Sequence, residues 1–119
     1  MEIDEIRIYA LSLPDTEECF PFGENNLVLK TKGKIFIILD LMALPATMNY
    51  KADPEDIILQ REEYPDAIFP GFHMNKKHWN SVDVQSLQNA FIEELVLHSY
   101  NLVKLGLSKK EKSEIGLGN

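Results

Sequence analysis

The sequence has few of the residues from which covalent and metal chemistry is built. Its 119 residues include one cysteine, Cys19, and three histidines. A single cysteine excludes an internal disulfide and any zinc site made of several cysteines. Cys19 lies between Glu18 and Phe20, an acidic and apolar neighbourhood that does not favour a thiolate nucleophile. A structural zinc site takes four cysteine or histidine ligands. Such a site would need all three histidines and the cysteine of this chain, so we expect no metal.

Long apolar runs are also missing. The longest, IFIILDLMAL, is interrupted by Asp40 and is too short to span a bilayer. The N-terminal segment MEIDEIRIYALSLP has neither the basic region nor the apolar region of a secretory signal. We therefore expect a cytoplasmic protein that does not engage a membrane.

The motifs of several enzyme classes are absent. The chain contains no glycine-rich phosphate-binding motif and no serine elbow of the hydrolase type. Paired acids such as Glu62-Glu63 fall on predicted helix surfaces, where carboxylates usually serve solvation. Because no nucleophile is paired with a base, we expect a non-enzymatic protein without a cofactor.

Basic residues are outnumbered, and their distribution is uneven. The net charge of −7 repels polyanions on average. Residues 1–29 hold seven acidic residues and one arginine, whereas residues 30–51 hold four lysines and one aspartate. Residues 67–82 hold two lysines and no acid. The predicted helices are therefore acidic and the predicted strands basic, which allows a locally positive surface.

Three segments are predicted to be helices. Residues 2–12 place apolar side chains at steps of three and four, and the Leu13-Pro14 pair ends this helix. Asp53 is a good N-cap and Pro54 suits the first helical position of the second helix, which ends at Tyr64-Pro65. The third helix is predicted to run from a cap at Ser86 to about Leu105. His98 lies in its middle, where we expect a partly buried, hydrogen-bonded side chain.

The remaining segments are predicted to form strands and turns. The run NLVLKTKGKIFIILDL predicts a hairpin with its turn at Gly33, and residues 46–52 alternate like a third strand. Two further short strands are predicted on either side of Pro70-Gly71. Residues 14–26 are predicted to be a loop whose Phe20 and Phe22 enter the core.

The resulting order, α-β-β-β-α-β-β-α, predicts an α+β domain whose helices pack on one face of an antiparallel sheet. We place this domain at residues 1–105, followed by a flexible polar tail at 106–119.

The densest cluster of functional side chains is GFHMNKKHWNSV, residues 71–82. Lysine and histidine can donate to phosphate, Trp79 offers a stacking surface, and asparagines can bond to base edges. The lysines of the hairpin could form a second contact. The opposite interpretation stays open, in which Trp79 belongs to the core and the lysines only solvate a turn or protect a sheet edge.

Several segments together resemble the MmcQ/YjbR family of small bacterial proteins. They are FPFGE (20–24), the strand with LVLK, NYKADPE (49–55), REEYP (61–65), PGFHMNKKHWNSV (70–82) and HSYNLV (98–103). The resemblance covers about residues 1–105. It implies a fold similar to frataxin-like CyaY and a DNA-binding role with a double-wing arrangement.

Two hypotheses follow from the cluster and the resemblance. The first is a DNA-binding module that uses a basic sheet and loop surface, with weak and salt-sensitive binding. The alternative is a module that binds a small anion or a protein partner through residues 71–80. The candidate residues are Lys51, His73, Asn75, Lys76, Lys77, His78, Trp79, Asn80, Lys30, Lys32 and Lys34.

Overall fold

A computed structural model describes residues 1–71 and 74–106 of the protein. Along the chain its helices and strands are α1 (Ile3–Leu11), β1 (Thr16–Cys19), β2 (Asn26–Thr31), β3 (Lys34–Asp40), β4 (Thr47–Lys51), α2 (Pro54–Glu63), β5 (Ile68–Pro70), β6 (Trp79–Asp83) and α3 (Asn89–Leu105). None of the helices in this part of the chain is long and apolar enough to cross a membrane. Residues 107–119 of the predicted tail lie outside the described residues.

The six strands form one antiparallel sheet in the order β1-β2-β3-β4-β6-β5. All three helices contribute to one core against the same face of this sheet. The predicted α+β class, with helices on one face of an antiparallel sheet, is confirmed.

Strand alternation explains how the core is built. In β4, Met48 and Tyr50 are fully buried on the helix side, as the alternation of residues 46–52 predicts. They lie opposite Leu39 and Ile37 of β3. The same two rows continue into β6, where Val82 pairs with Met48. The largest fully buried side chains of the core include Tyr50, Tyr100, Phe36, Ile6 and Leu29.

One strand was not expected. Residues 14–26 are predicted to be a loop, but Thr16–Cys19 form β1 and pair with β2 at the edge of the sheet. The sequence TEEC has little strand character. An edge strand needs only one hydrogen-bonded neighbour, so its backbone can pair without an apolar pattern. Glu18 of this strand faces α1, where Arg7 donates to it at 2.5 and 2.6 Å.

The phenylalanines of the same segment are not in the core. Phe20 is 49% exposed and Phe22 is 59% exposed, so the prediction that they enter the core is wrong. Both lie in the connection from β1 to β2, beyond the end of the strands. The helices pack against the strands themselves, and they do not cover this connection.

The helix boundaries agree with prediction at α1 and α2 and differ at α3. Asp53 is the N-cap residue of α2 and Pro54 is its first residue, although the Asp53 carboxylate makes no capping hydrogen bond. The N-cap of α3 is Gln88 and not Ser86. Ser86 instead donates its hydroxyl to Asp83 Oδ2 at 2.6 Å, in a turn that Asp83 also closes by accepting from Gln85 N.

Candidate functional site

The β2–β3 hairpin carries the first group of candidate lysines. Its turn consists of Lys32 and Gly33, both with positive φ (49° and 78°), the two-residue geometry that matches the twist of a hairpin. The tip therefore carries Lys30 and Lys32 on one side and Lys34 on the other. Lys34 is exposed, whereas Lys30 lies opposite Glu17 of β1, which offsets part of its charge.

Lys51 ends β4, next to the start of the hairpin's second strand. Lys51 and Lys34 line one cavity of about 210 Å³ beside the C-terminal end of α3. The backbone of Lys51 is fixed there, because its N–H donates to Ser99 Oγ at 2.9 Å. The buried Ser99 hydroxyl in turn donates to the carbonyl of Phe36 at 2.6 Å.

The loop before β6 carries the second group. Asn75 organises it: its Oδ1 accepts from Lys77 N at 2.9 Å, and its carbonyl accepts from the amides of His78 and Trp79. This local turn leaves Asn75, Lys76 and Lys77 exposed and His78 half-buried. His73 lies outside the described residues.

Arg61 of α2 holds this loop against the domain. Its guanidinium donates to the carbonyl of Lys76 at 2.5 Å and to Asn80 Oδ1 at 2.7 Å. The sequence pattern did not predict this role for Arg61. Its only sequence signal is that Arg61 is the single cation between Asp53 and Asp66, a signal that does not name a partner.

Asn80 and Trp79 are buried, and they point to opposite faces of the sheet. Asn80 is fully buried on the helix side, where its amide nitrogen donates to the carbonyl of Ile57 and to the Tyr50 hydroxyl. Burial raises the pKa of that Tyr50 hydroxyl. Trp79 is 9% exposed and lies opposite Lys51. Neither side chain is an open contact surface.

Glycine at position 71 is explained by Trp79. A Cβ on Gly71 would lie 2.9 Å from Trp79 Cβ and 3.0 Å from its carbonyl oxygen, closer than side chains pack. The Gly71 amide also donates to that carbonyl at 3.1 Å. Glycine at position 71 therefore lets the chain after β5 run directly beside the start of β6.

The strand pairing brings the lysines of three separate segments to one end of the sheet. The β2–β3 turn, the end of β4 and the start of β6 all lie at this end, because Thr31 pairs with Lys34 and Lys51 pairs with Trp79. We call these positions the lysine surface: Lys30, Lys32, Lys34, Lys51, Lys76 and Lys77.

Comparisons with known proteins identify the family. A model of the YjbR family matches residues 11–102. The chain belongs to the YjbR family. It is 40% identical over 110 residues to the protein YbdF of Escherichia coli O157:H7, covering 92% of this chain and 89% of YbdF.

One solved structure agrees with this assignment, and a second shares the fold. The crystal structure of the Deinococcus radiodurans protein DR2400, which contains the family-model domain DUF419, is 36% identical with a TM-score of 0.90, covering 97% of this chain and 88% of that one. A Pseudomonas syringae protein is 24% identical with a TM-score of 0.75, covering 87% of this chain and 99% of that one. The second likeness bears on the fold alone.

His98 of this YjbR protein differs from its expected setting. Its side chain is 47% exposed, and Nε2 lies 4.0 Å from a carboxylate oxygen of Asp53 and 4.0 Å from one of Asp56. Among the described residues, this is the set whose ligand atoms could share a cation. Exposed polar contacts at such distances contribute little to stability, and we interpret the three residues as a surface contact between α2 and α3.

Proposed function

We propose that this YjbR protein is a non-enzymatic DNA-binding module that contacts the phosphate backbone through the lysine surface. One observation carries the proposal: segments far apart in the sequence place their lysines at the same end of the sheet. Local charge of this kind attracts phosphates even when the whole protein is acidic.

The size of the lysine surface suits a few phosphates. It extends over β2, β3, β4 and β6, four adjacent strands, which span about 14 Å at the usual strand spacing. Phosphates of one DNA strand follow each other at about 3.4 Å along the helix axis, so about four of them fit this width. Because the net charge is −7, binding should be weak and lost readily as salt is added.

Charge reversal in the exposed loop tests the proposal. The double variant Lys76→Glu with Lys77→Glu should abolish the shift of a DNA duplex in a gel run at about 50 mM salt, where phosphate contacts are strong. The control is Gln88→Glu with Asn89→Asp, which also lowers the net charge, but at exposed residues that follow the opposite end of β6. An equal loss in both double variants, or no shift with the wild-type protein, would contradict the proposal.

The alternative from the sequence, a site for a small anion or a protein partner in residues 71–80, uses the same exposed lysines. Competition separates the two. A DNA-binding surface should be displaced by raised sodium chloride and by phosphate to the same degree at equal ionic strength, because it binds charge along a strand. Displacement by low concentrations of phosphate alone would favour the small-anion site.

A further inference from the structure

The face of the sheet opposite the helices carries apolar and polar side chains in aligned rows. Strand pairing aligns one row of residues across the middle of this face: Val28, Ile38, Asn49 and Ser81. A second row lies toward the ends of the same strands: Asn26, Asp40 and Thr47. These rows are distinct from the lysine surface, which lies at the other end of the sheet.

A cavity of about 370 Å³ lies over these rows. Ile38, which is 5% exposed, contributes an apolar floor. Two residues outside the strands also line the cavity. Phe22 comes from the β1–β2 connection and Met74 from the loop before β6. This volume is at the lower end of the range of about 300–1,000 Å³ typical of small-molecule sites, which suits a ligand the size of a nucleoside.

Two polar groups in the cavity are held by the protein itself. The Ser81 hydroxyl donates to Asn49 Oδ1, which leaves the amide nitrogen of Asn49 as its group for a ligand. Asp40 Oδ1 accepts from the amides of Met42 and Ala43 at 3.0 and 3.1 Å, which fixes the carboxylate. The cavity therefore presents an oriented donor and an oriented acceptor on neighbouring strands, as preorganised recognition requires.

The charge of the lining restricts the ligand. Among the described residues that line the cavity, Asp40 is charged and none is a cation. A phosphate or carboxylate placed beside Asp40 would be repelled by its carboxylate. The ligand group is therefore neutral and offers both an acceptor and a donor.

We propose that this cavity binds a nucleobase that carries an exocyclic amine beside a ring nitrogen, as adenine and cytosine do. The amine donates to Asp40, the ring nitrogen accepts from Asn49, and the flat ring stacks on Phe22 and Met74. The base can come from a free nucleoside or from a single strand, since both present the same chemistry. The proposal does not depend on the lysine surface.

Adenosine and inosine provide the decisive comparison, because inosine carries an oxygen acceptor in place of the amine and an N–H donor in place of the accepting ring nitrogen. Titration by nuclear magnetic resonance should shift the Asn49 side-chain amide and the Met74 methyl with adenosine, with inosine binding roughly tenfold or more weakly, as expected for an unpaired acceptor. The variant Asp40→Asn should abolish this preference. It keeps an acceptor for the turn and presents a donor, which the inosine oxygen can use and the adenosine amine cannot, while the ring N–H of inosine still meets the amide donor of Asn49.

The matched control is Asp83→Asn. Asp83 lies opposite Thr47 and also closes a turn through its carboxylate, but it does not line the cavity. Its variant should leave the preference for adenosine unchanged. A loss of the preference in both variants would overturn the proposal, because a general change of charge would then explain it.

Two ligand sources are separated by a second titration. Shifts at Asn49 and Met74 with adenosine support a free nucleoside, and shifts only with single-stranded oligodeoxyadenylate support a base within a strand. No shift at these two residues with either ligand would overturn the proposal, as would an equal response to glucose. The charge-reversal variants at Lys76 and Lys77 leave the cavity lining intact, so failure of DNA binding and failure of base binding are distinguishable.

Discussion

Arg61 and Asn80 join α2 to the first strand residues after the loop that carries Lys76 and Lys77. Arg61 Nε donates to Asn80 Oδ1 at 2.7 Å, while the same guanidinium donates to the Lys76 carbonyl at 2.5 Å. One side chain thus satisfies a fully buried amide and fixes an exposed loop. The shape of the lysine surface depends on this contact.

Replacing Arg61 by methionine should therefore destabilise the protein. The buried Asn80 oxygen would lose its donor, which costs about 1–3 kcal/mol, and the midpoint of urea unfolding would fall accordingly. The control is Arg7→Met, at the other arginine of the chain, whose contact with Glu18 is partly exposed. A loss for Arg61→Met no larger than for Arg7→Met would show that the buried contact contributes nothing.

Alanine at position 71 should displace Trp79. Its Cβ would stand 2.9 Å from Trp79 Cβ, and overpacking of this kind typically costs about 1–3 kcal/mol. Because Trp79 is the single tryptophan, its fluorescence spectrum reports the displacement directly. Gly33→Ala serves as the comparison: it strains a positive φ but meets nothing within 4 Å, so it should lower stability and leave the fluorescence unchanged.

Ser99→Ala should lower the free energy of unfolding by more than the small size of the removed hydroxyl suggests. The Ser99 hydroxyl donates to the Phe36 carbonyl and accepts from Lys51 N, linking α3 to two neighbouring strands. Its removal leaves two backbone groups without this partner, a loss of about 1–3 kcal/mol. Ser12→Ala is the matched control, because its hydroxyl also donates to a carbonyl, that of Tyr9, at an exposed position. Equal unfolding midpoints for the two variants would refute the linking role.

Tyr50 should make the protein sensitive to alkaline pH. Burial raises its pKa in the folded state, whereas an unfolded tyrosine titrates near pH 10. The contribution of Tyr50 to the stability of the folded state is therefore complete below about pH 10 and is lost as the pH rises toward the pKa of the folded state. In this range only the unfolded state releases the Tyr50 proton.

Unfolding of wild type and Tyr50→Phe by urea tests this expectation. At neutral pH the variant should be less stable by about 1 kcal/mol, since the hydroxyl donates to Gln60 and accepts from Asn80. Above about pH 10 the difference in stability between the two proteins should shrink. Only the wild type has a Tyr50 hydroxyl whose ionisation favours the unfolded state. Tyr64→Phe controls for other groups that titrate in the same range. A stability difference between wild type and Tyr50→Phe that stays constant at all pH values would contradict a raised pKa of Tyr50 in the folded state.

The parts of the fold that sequence predicts well are those with a local signal. The alternation of residues 46–52 marks the buried face of β4, the KGK turn marks the hairpin, and Asp53-Pro54 marks the start of α2. Each depends on neighbours within a few residues, so the pattern and the structure coincide. The family resemblance, carried by several such segments, is confirmed by the YjbR match over residues 11–102.

The candidate site was predicted less completely. The exposed Lys76 and Lys77 and the hairpin tip lie where the pattern places polar residues. Asn80 has the same polar chemistry as Asn75, yet Asn80 is fully buried and Asn75 is exposed. Residue type alone does not distinguish these two settings, because Asn80 lies in β6 with its side chain on the helix side of the sheet, whereas Asn75 lies in the exposed loop before β6.

The sequence by itself determined the class of the protein: acidic, with an α+β order of elements, hairpin and helix starts in place, and lysines concentrated in residues 30–51 and 67–82. Only the tertiary structure decided that those segments meet at one end of the sheet, that TEEC pairs as an edge strand, and that Arg61 reaches Asn80. The periodicity of apolar residues indicates that one face of a helix or strand is buried. Which element covers that face depends on packing between residues far apart in the chain.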